Sequence, residues 1–157
     1  MSSFDDFVAA RGDDLMRLAQ VLCASPDDAQ DAVQDALTRA LERWDKVSAA
    51  ADVYAYVRRM VVNADVSRWR RTRMREIPRA EVFQSRVAED HAESYALWRA
   101  CQELPDRQRA AVVLRFYEGL SHAEIGEVLG VSEPTARSHV FRALERLRSQ
   151  FGEEVDQ

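Results

Sequence analysis

The segment from Ser121 to Leu147 constrains the fold of this chain more than any other, because it holds two helix starts around one tight turn. Ser121, with Glu124 three residues later, predicts a capped first helix that ends at Gly130. Ser132 predicts the cap of a second helix. Two short helices joined by a glycine-containing turn of about three to four residues form a helix-turn-helix, whose second helix can enter a DNA major groove.

The second of these helices has two chemically different faces. Its predicted inner face consists of apolar residues at helical spacing, namely Ala136, Val140, Ala143, Leu144 and Leu147. Arg137, Ser138, Phe141 and Arg142 project to the other side. In the first helix, Gly126 lets another backbone approach closely. A solvated face usually mixes Glu and Lys, so this composition favours DNA binding over an ordinary helical hairpin, which remains the alternative.

The charge of the chain is unevenly distributed. The 157 residues, enough for one domain or two small ones, carry a net charge of −5. Residues 1–53 hold 5 basic and 11 acidic side chains, whereas residues 54–79 hold 8 basic and 2 acidic. Such a protein could bind nucleic acid locally while binding DNA poorly overall. No run is long enough to span a membrane, and the acidic N-terminus is not a secretory signal.

The cysteines and histidines do not suggest a metal site. Cys23 and Cys101 lie far apart in apolar helical settings, and His91, His122 and His139 show no ligand spacing. We therefore expect no zinc, cofactor or disulfide, and two buried thiols in a reducing cytosol.

The N-terminal half predicts three helices. The first covers residues 3–23, with an interruption near Gly12. Ser25 and Pro26 then cap a helix to about Trp44. Its apolar face is Ala29, Ala32, Val33, Ala36, Leu37, Ala40, Leu41 and Trp44. Its polar face, which periodicity alone interprets as solvated, is Asp28, Asp31, Gln34, Asp35, Thr38, Arg39 and Glu42. After a loop over 45–52, the third helix starts at about Val53.

This third helix interleaves aromatic, arginine and amide side chains. They are Tyr54, Tyr56, Arg58, Arg59, Asn63, Arg68, Trp69 and Arg71. Guanidinium groups can bind phosphates, aromatic rings can stack on bases, and an amide can form hydrogen bonds with a base edge. This mixture of side chains therefore suits the binding of single-stranded nucleic acid. A basic helix end in solvent is the alternative, mainly for residues 70–75.

The rest of the chain predicts a linker and a second helical module. Residues 76–93 have weak periodicity and one proline, which indicates a linker. Helical pattern resumes at about Ala92, breaks at Pro105 and continues into the helix-turn-helix. The tail after Phe151 is expected to fray. With no strand signal, we predict an all-α fold of two small helical modules, the C-terminal one a four-helix helix-turn-helix.

Several motifs resemble the sigma-70 family of RNA polymerase sigma factors. Residues 28–35, DAQDAVQD, resemble the core-polymerase-binding helix of its second conserved region. Residues 56–63, YVRRMVVN, followed by arginines, resemble its promoter-melting helix. LPDRQR at 104–109, YEGLS at 117–121, EIG at 124–126 and TARS at 135–138 resemble its fourth region. With these two regions and little else, the chain is similar to the short extracytoplasmic-function sigma factors.

The resemblance implies a role for each group of residues. Asp31, Gln34, Asp35 and Arg39 would bind core RNA polymerase. Arg59, Asn63, Arg68 and Trp69 would hold the unwound minus-10 strand, with residues 45–52 as part of a pocket for a flipped base. Arg137, Ser138, Phe141 and Arg142 would lie in the major groove of the minus-35 element. The domains would be 1–75 (region 2), 76–94 (linker) and 95–152 (region 4), with a frayed tail at 153–157.

The resemblance also implies partners. They are core RNA polymerase, promoter DNA and an anti-sigma factor, in the cytoplasm and with no catalytic site in this chain. Two promoter elements lie about 70 Å apart, too far for one compact body with a radius of gyration near ~15 Å. His139 stands where the family often has arginine. Alternative hypotheses are a DNA-binding regulator of the response-regulator output class, an all-α enzyme or metal protein, and a structural interaction protein.

Overall fold

The computed structural model describes residues 3–72 and 92–155, with side chains over 3–67 and 96–150. In these ranges the regular elements are all α-helices, which confirms the predicted fold class. We number them α1 Phe4–Leu22, α2 Pro26–Glu42, α3 Trp44–Ser48, α4 Val53–Thr72, α5 Ala92–Gln102, α6 Asp106–Phe116, α7 His122–Leu129 and α8 Glu133–Val155. The chain divides into two compact units, Met1–Ile77 and Pro78–Gln157.

Side-chain caps fix the helix starts of the first unit. The Ser3 hydroxyl accepts a hydrogen bond from the Asp6 N–H at 3.1 Å, and the Ser25 hydroxyl accepts one from Asp28 at the same distance. Pro26 follows as the first residue of α2, as predicted. The Asp52 carboxylate accepts from the Ala55 N–H at 3.0 Å and so caps α4.

Two predicted breaks in the first unit are wrong. The helix α1 runs without interruption through Gly12, because its hydrogen-bonded turns tolerate one glycine at a modest cost. The predicted loop 45–52 begins with the short helix α3. The Trp44 ring holds this helix against α1, with its centroid 5.5 Å from that of Phe4 and 5.8 Å from that of Phe7. Periodicity cannot detect so short a helix.

The core of the first unit joins bulky side chains of α1 and α4 across a narrow stripe of α2. The buried residues include Leu15, Leu18 and Leu22 of α1, Ala29, Ala32, Ala36 and Ala40 of α2, and Val57, Val61 and Val62 of α4. Leu41, predicted to face inward, is instead 55% exposed. At 3.6 residues per turn, position 41 has rotated about 120° away from Ala29 and leaves the stripe.

The second unit contains the predicted helix-turn-helix in α7 and α8. Ser121 and Glu124 form a reciprocal capping box, and Gly130 ends α7 in the left-handed region at φ 71°. The Ser132 hydroxyl accepts from the Thr135 N–H at 3.3 Å. The buried core comes from α6 (Ala110, Val113, Leu114), α7 (Ile125, Val128) and α8 (Ala136, Val140, Ala143).

The structure corrects other expectations for this unit. Helix α5 begins at Ala92, where the sequence predicts that the helical pattern resumes, whereas α8 continues to Val155, so residues 153–155 of the predicted frayed tail are helical. Most of the predicted linker and residues 156–157 lie outside the described residues. Arg109, which no pattern predicts to be internal, is only 1% exposed.

The two cysteines differ in burial. Cys23 is fully buried, whereas Cys101 is half-buried. Burial raises the pKa of the Cys101 thiol, against the opposing effect of the Arg109 charge, so the thiol stays protonated at neutral pH. Within 3–72 and 92–155, His, Cys, Asp and Glu side chains form no group that could hold a metal ion. No helix in the same ranges is both long and apolar enough to cross a membrane.

Candidate nucleic-acid interface

The candidate reading face of the second unit is the solvent side of α8. Arg137, Ser138, Phe141 and Arg142, which we call the reading face, are all exposed. Phe141 is 60% exposed, although moving a phenyl ring out of water lowers the free energy. None of the four supports the core, which Ala136, Val140 and Ala143 form on the opposite side of the helix.

One arginine of the reading face is oriented before any ligand binds. The Arg137 guanidinium donates a hydrogen bond to the Glu133 carboxylate at 3.3 Å, one turn earlier in α8. Both side chains are more than half exposed, so this pair contributes only a few tenths of a kcal/mol to helix stability. Its main effect is on geometry, because it directs the guanidinium along the helix towards the N-terminus of α8.

The pose of α8 depends on a close backbone approach at Gly126. A Cβ atom at this position would lie 2.7 Å from the carbonyl oxygen of Val131. The Val131 N–H in turn donates to the Gly126 carbonyl at 2.9 Å. Because the backbone after α7 passes directly over Gly126, the turn can be tight enough to set α8 across α7. The predicted close approach at this glycine is confirmed.

His139 lies at the border of the reading face and faces α6. It is half-buried, and burial lowers its pKa, as do the charges of Arg107 and Arg142, whereas Asp106 opposes the shift. Its Nδ1 atom is buried, and among the described residues none makes a hydrogen bond to it. The imidazole is therefore neutral at pH 7, in contrast to the arginine that the sigma-70 resemblance leads one to expect at this position.

The candidate strand-binding face of the first unit lies on α4. Arg59 and Asn63 are exposed and, being four residues apart, lie on the same side of the helix. Tyr56, three residues before Arg59, is half-buried beside them. The backbone of α4 extends through Arg68 and Trp69, but the side chains of these two residues lie outside the described residues.

Tyr54 is not part of this face, which corrects the sequence-based interpretation. Its side chain is only 8% exposed. The Arg11 guanidinium of α1 lies 3.7 Å from the centre of its ring, and that of Arg58 lies 5.6 Å away. The Asp14 carboxylate accepts from Arg11 Nε at 2.9 Å and holds the guanidinium in place. The ring thus takes part in internal cation–π contacts that join α1 to α4 and cannot stack on a base.

The polar face of α2 is turned to solvent. Asp31, Gln34 and Arg39 are exposed and Asp35 is half-exposed. Sequence reasoning missed Leu41, the exposed leucine described above, which lies seven residues after Gln34 and therefore on nearly the same side of the helix. The sequence could have predicted this exposure, because at 3.6 residues per turn position 41 lies outside the apolar stripe of α2.

Two family matches cover most of the chain. The family described as Sigma-70 region 2 matches residues 7–75, and the family described as Sigma-70, region 4 matches residues 94–147. The first match includes α4 and its arginines, which the hypothesis of a response-regulator output domain leaves unexplained. The second includes the whole helix-turn-helix.

Whole-chain relatives agree with these matches. The chain is 37% identical over 151 residues to an RNA polymerase sigma-E factor of Streptomyces avermitilis, covering 94% of this chain and 84% of that protein. It is 35% identical over 154 residues to the ECF RNA polymerase sigma factor SigM of Mycobacterium tuberculosis, covering 96% and 78%.

Two solved structures share the fold. The sigma factor RpoE, in complex with the anti-sigma factor NepR from Bartonella quintana, superposes with a TM-score of 0.78 at 23% identity over 98% of both chains. CnrH, in complex with the cytosolic domain of CnrY, gives a TM-score of 0.69 at 22% identity over 96% of this chain and 88% of that one. With both regions present in order and relatives aligned along nearly the whole length, the chain belongs to the sigma-70 family of RNA polymerase sigma factors, in its extracytoplasmic-function group.

Proposed function

We propose that this sigma factor divides promoter recognition between its two units. The C-terminal unit reads the minus-35 element in the major groove with Arg137, Ser138, Phe141 and Arg142. The N-terminal unit holds the opened minus-10 strand with Arg59, Asn63, Arg68 and Trp69. The observation that supports this most directly is the reading face, where two arginines and a 60% exposed phenylalanine project from a helix-turn-helix and contribute nothing to its core.

The chemistry of the reading face fits base recognition. A bidentate contact from an arginine to guanine contributes about 1–3 kcal/mol of discrimination, and an apolar ring can contact a thymine methyl group. The bond from Arg137 to Glu133 holds this guanidinium in a limited range of orientations, which lowers the entropy lost when it meets a base.

The first unit would bind core RNA polymerase through the polar face of α2. Asp31, Gln34, Asp35 and Arg39 are the residues that the family resemblance assigns to this contact. We add Leu41, because an exposed leucine next to charged residues matches the composition of interfaces with an apolar centre and a polar rim. Residues 45–52, including α3, would form part of the pocket for a flipped base.

The proposed domains are region 2 over 1–75, a linker over 76–94 and region 4 over 95–152. The RpoE structure contains the anti-sigma factor NepR, and we propose that this chain is likewise held by an anti-sigma factor until it is needed. It would act in the cytoplasm with the polymerase, which supplies all the catalysis.

Run-off transcription tests the proposal. Purified protein is mixed with core RNA polymerase and genomic fragments, and transcripts are mapped to their start sites. We expect new, promoter-specific transcripts that depend on both components. A folded protein that produces none would refute the proposal, and tight operator binding without polymerase would favour a conventional duplex-binding regulator.

Two variants test the division of labour. Arg142→Ala should lower transcription from promoters that need a minus-35 element while core binding stays unchanged. Gln34→Ala combined with Asp35→Ala should weaken the capture of polymerase first. Identical behaviour of the two variants in both assays would contradict the proposed separation.

A further inference from the structure

A group of charged side chains lies where α6 packs against α8. Arg107 is half-buried in the first turn of α6, His139 is half-buried on α8, and Arg142 is exposed nearly one turn after His139. The charges of Arg107, Arg142 and Asp106 each act on the His139 imidazole, which places each of these side chains near His139. Arg107 therefore lies beside the reading face, although it belongs to a different helix.

The distance between packed helices determines what Arg107 can reach. Axes of packed helices are about 8–10 Å apart, and the major groove of B-DNA is about 12 Å wide. When α8 occupies the groove, a side chain that borders the reading face from the neighbouring helix lies over the groove edge. Phosphates line that edge, whereas base edges lie on the groove floor beneath α8.

We propose that Arg107 is a phosphate-binding residue, which contacts the DNA backbone at the edge of the minus-35 groove while Arg142 beside it contacts bases. This inference rests on the proposed function, since it takes α8 as the helix in the groove. Phosphate contacts fix the orientation of a protein on DNA and carry no sequence information. Arg107 therefore adds affinity for every sequence equally and holds the reading face in register.

The neutral state of His139 is consistent with this arrangement. Its lowered pKa keeps the imidazole uncharged near the Arg107 and Arg142 guanidinium groups, which avoids a third positive charge there. Asp106 partly offsets the remaining positive charge.

The dependence of binding on salt separates phosphate contacts from base contacts. The probe is a duplex promoter fragment obtained from the run-off experiment, bound by holoenzyme at low temperature so that the DNA stays closed. Kd is measured at several NaCl concentrations on this fragment and on fragments with single minus-35 substitutions. Each lost phosphate contact reduces the slope of log K against log salt by about 0.9.

We expect Arg107→Gln to reduce the slope by about one contact and to weaken binding by the same factor on all fragments. Arg107→Lys keeps a point charge and should retain the slope. By contrast, the loss caused by Arg142→Gln should differ between fragments. Because the folded fraction can itself depend on salt, circular dichroism of each variant at every NaCl concentration used checks that a change in slope does not arise from partial unfolding.

Arg99→Gln is the matched control, because Arg99 is an exposed arginine on α5 of the same unit. Its slope should equal that of the wild type. An unchanged slope for Arg107→Gln, or an equal loss for Arg99→Gln, would overturn the inference while leaving the proposed function intact. Wild-type holoenzyme that binds no fragment specifically would instead overturn both.

Discussion

Tyr54 and Phe141 occupy similar sequence contexts but opposite environments. Each is an aromatic residue close to two arginines on a helix, and sequence reasoning placed both on nucleic-acid-binding surfaces. Tyr54 is 8% exposed between Arg11 and Arg58, whereas Phe141 is 60% exposed beside Arg142. An arginine can stack on a tyrosine of its own protein, and it can equally bind a phosphate of a nucleic acid. Interleaved aromatics and arginines therefore do not by themselves distinguish a core from a binding site.

The largest expected effect comes from removing the buried ring of Tyr54. Tyr54→Ala deletes a buried aromatic side chain and should lower the free energy of unfolding by about 3 kcal/mol. Tyr54→Phe keeps the ring beneath the Arg11 guanidinium and serves as the control. Chemical denaturation of the two variants measures the difference. A loss below about 1 kcal/mol for Tyr54→Ala would mean that the ring is not part of the core.

The next largest effect concerns the turn that positions α8, the helix that carries Phe141. Gly126→Ala introduces a Cβ 2.7 Å from the Val131 carbonyl oxygen and should lower unfolding free energy by about 1–2 kcal/mol, despite the better helix propensity of alanine. Gly12→Ala is the control, because its Cβ would meet only Val8 Cγ1 at 3.4 Å. That variant should gain about 0.5–1 kcal/mol. If thermal melts show the same sign for both, the close approach does not constrain the turn.

A smaller effect is expected from removing the exposed ring of Phe141. Phe141→Ala should change unfolding free energy by less than about 0.5 kcal/mol, since the ring supports no core contact. It should weaken minus-35-dependent binding by about 1 kcal/mol, because an apolar contact in the groove is lost. Phe116→Ala, at another exposed phenylalanine of the same unit, is the control. The measurement is transcription from promoters with and without a minus-35 element, and equal losses for the two variants would refute a base contact.

The smallest effect is a pH dependence at the border of the reading face. The pKa of folded His139 is lowered from its ordinary value of 6.5, so between the two values the unfolded state binds more protons. Its contribution to stability is therefore complete above pH 6.5 and is lost as pH falls through the folded pKa. His139→Gln should flatten this part of the stability profile, measured by denaturation between pH 5 and 8. A wild-type profile that falls as pH rises through this window would contradict the direction.

Much of the fold could be predicted because its signals are local. The caps at Ser25, Ser121 and Ser132, the left-handed stop at Gly130 and the close approach at Gly126 each depend on a few neighbouring residues, and the structure confirms them. The sigma-70 family assignment is confirmed by the matches in both halves of the chain.

The features that escaped prediction depend on residues distant in sequence. The burial of Tyr54 requires Arg11 of another helix, and α3 is held by contacts from Trp44 to Phe4 and Phe7. Periodicity cannot reveal such partners. The exposure of Leu41 could have been predicted, because the angular position of each residue around the axis of α2 can be calculated from the sequence. The roles of individual site residues stay predictions until the variants above are measured.

The separation of core from reading face within α8 has an evolutionary consequence. Gly126 and the inner residues of α8 fix the pose of the helix, while Arg137, Ser138, Phe141 and Arg142 make no contribution to the interior. Substitutions at these four positions can therefore accumulate almost without loss of stability. If the proposed roles hold, a duplicated copy of such a gene could acquire a different set of target promoters through a few surface changes, with the N-terminal unit left as it was.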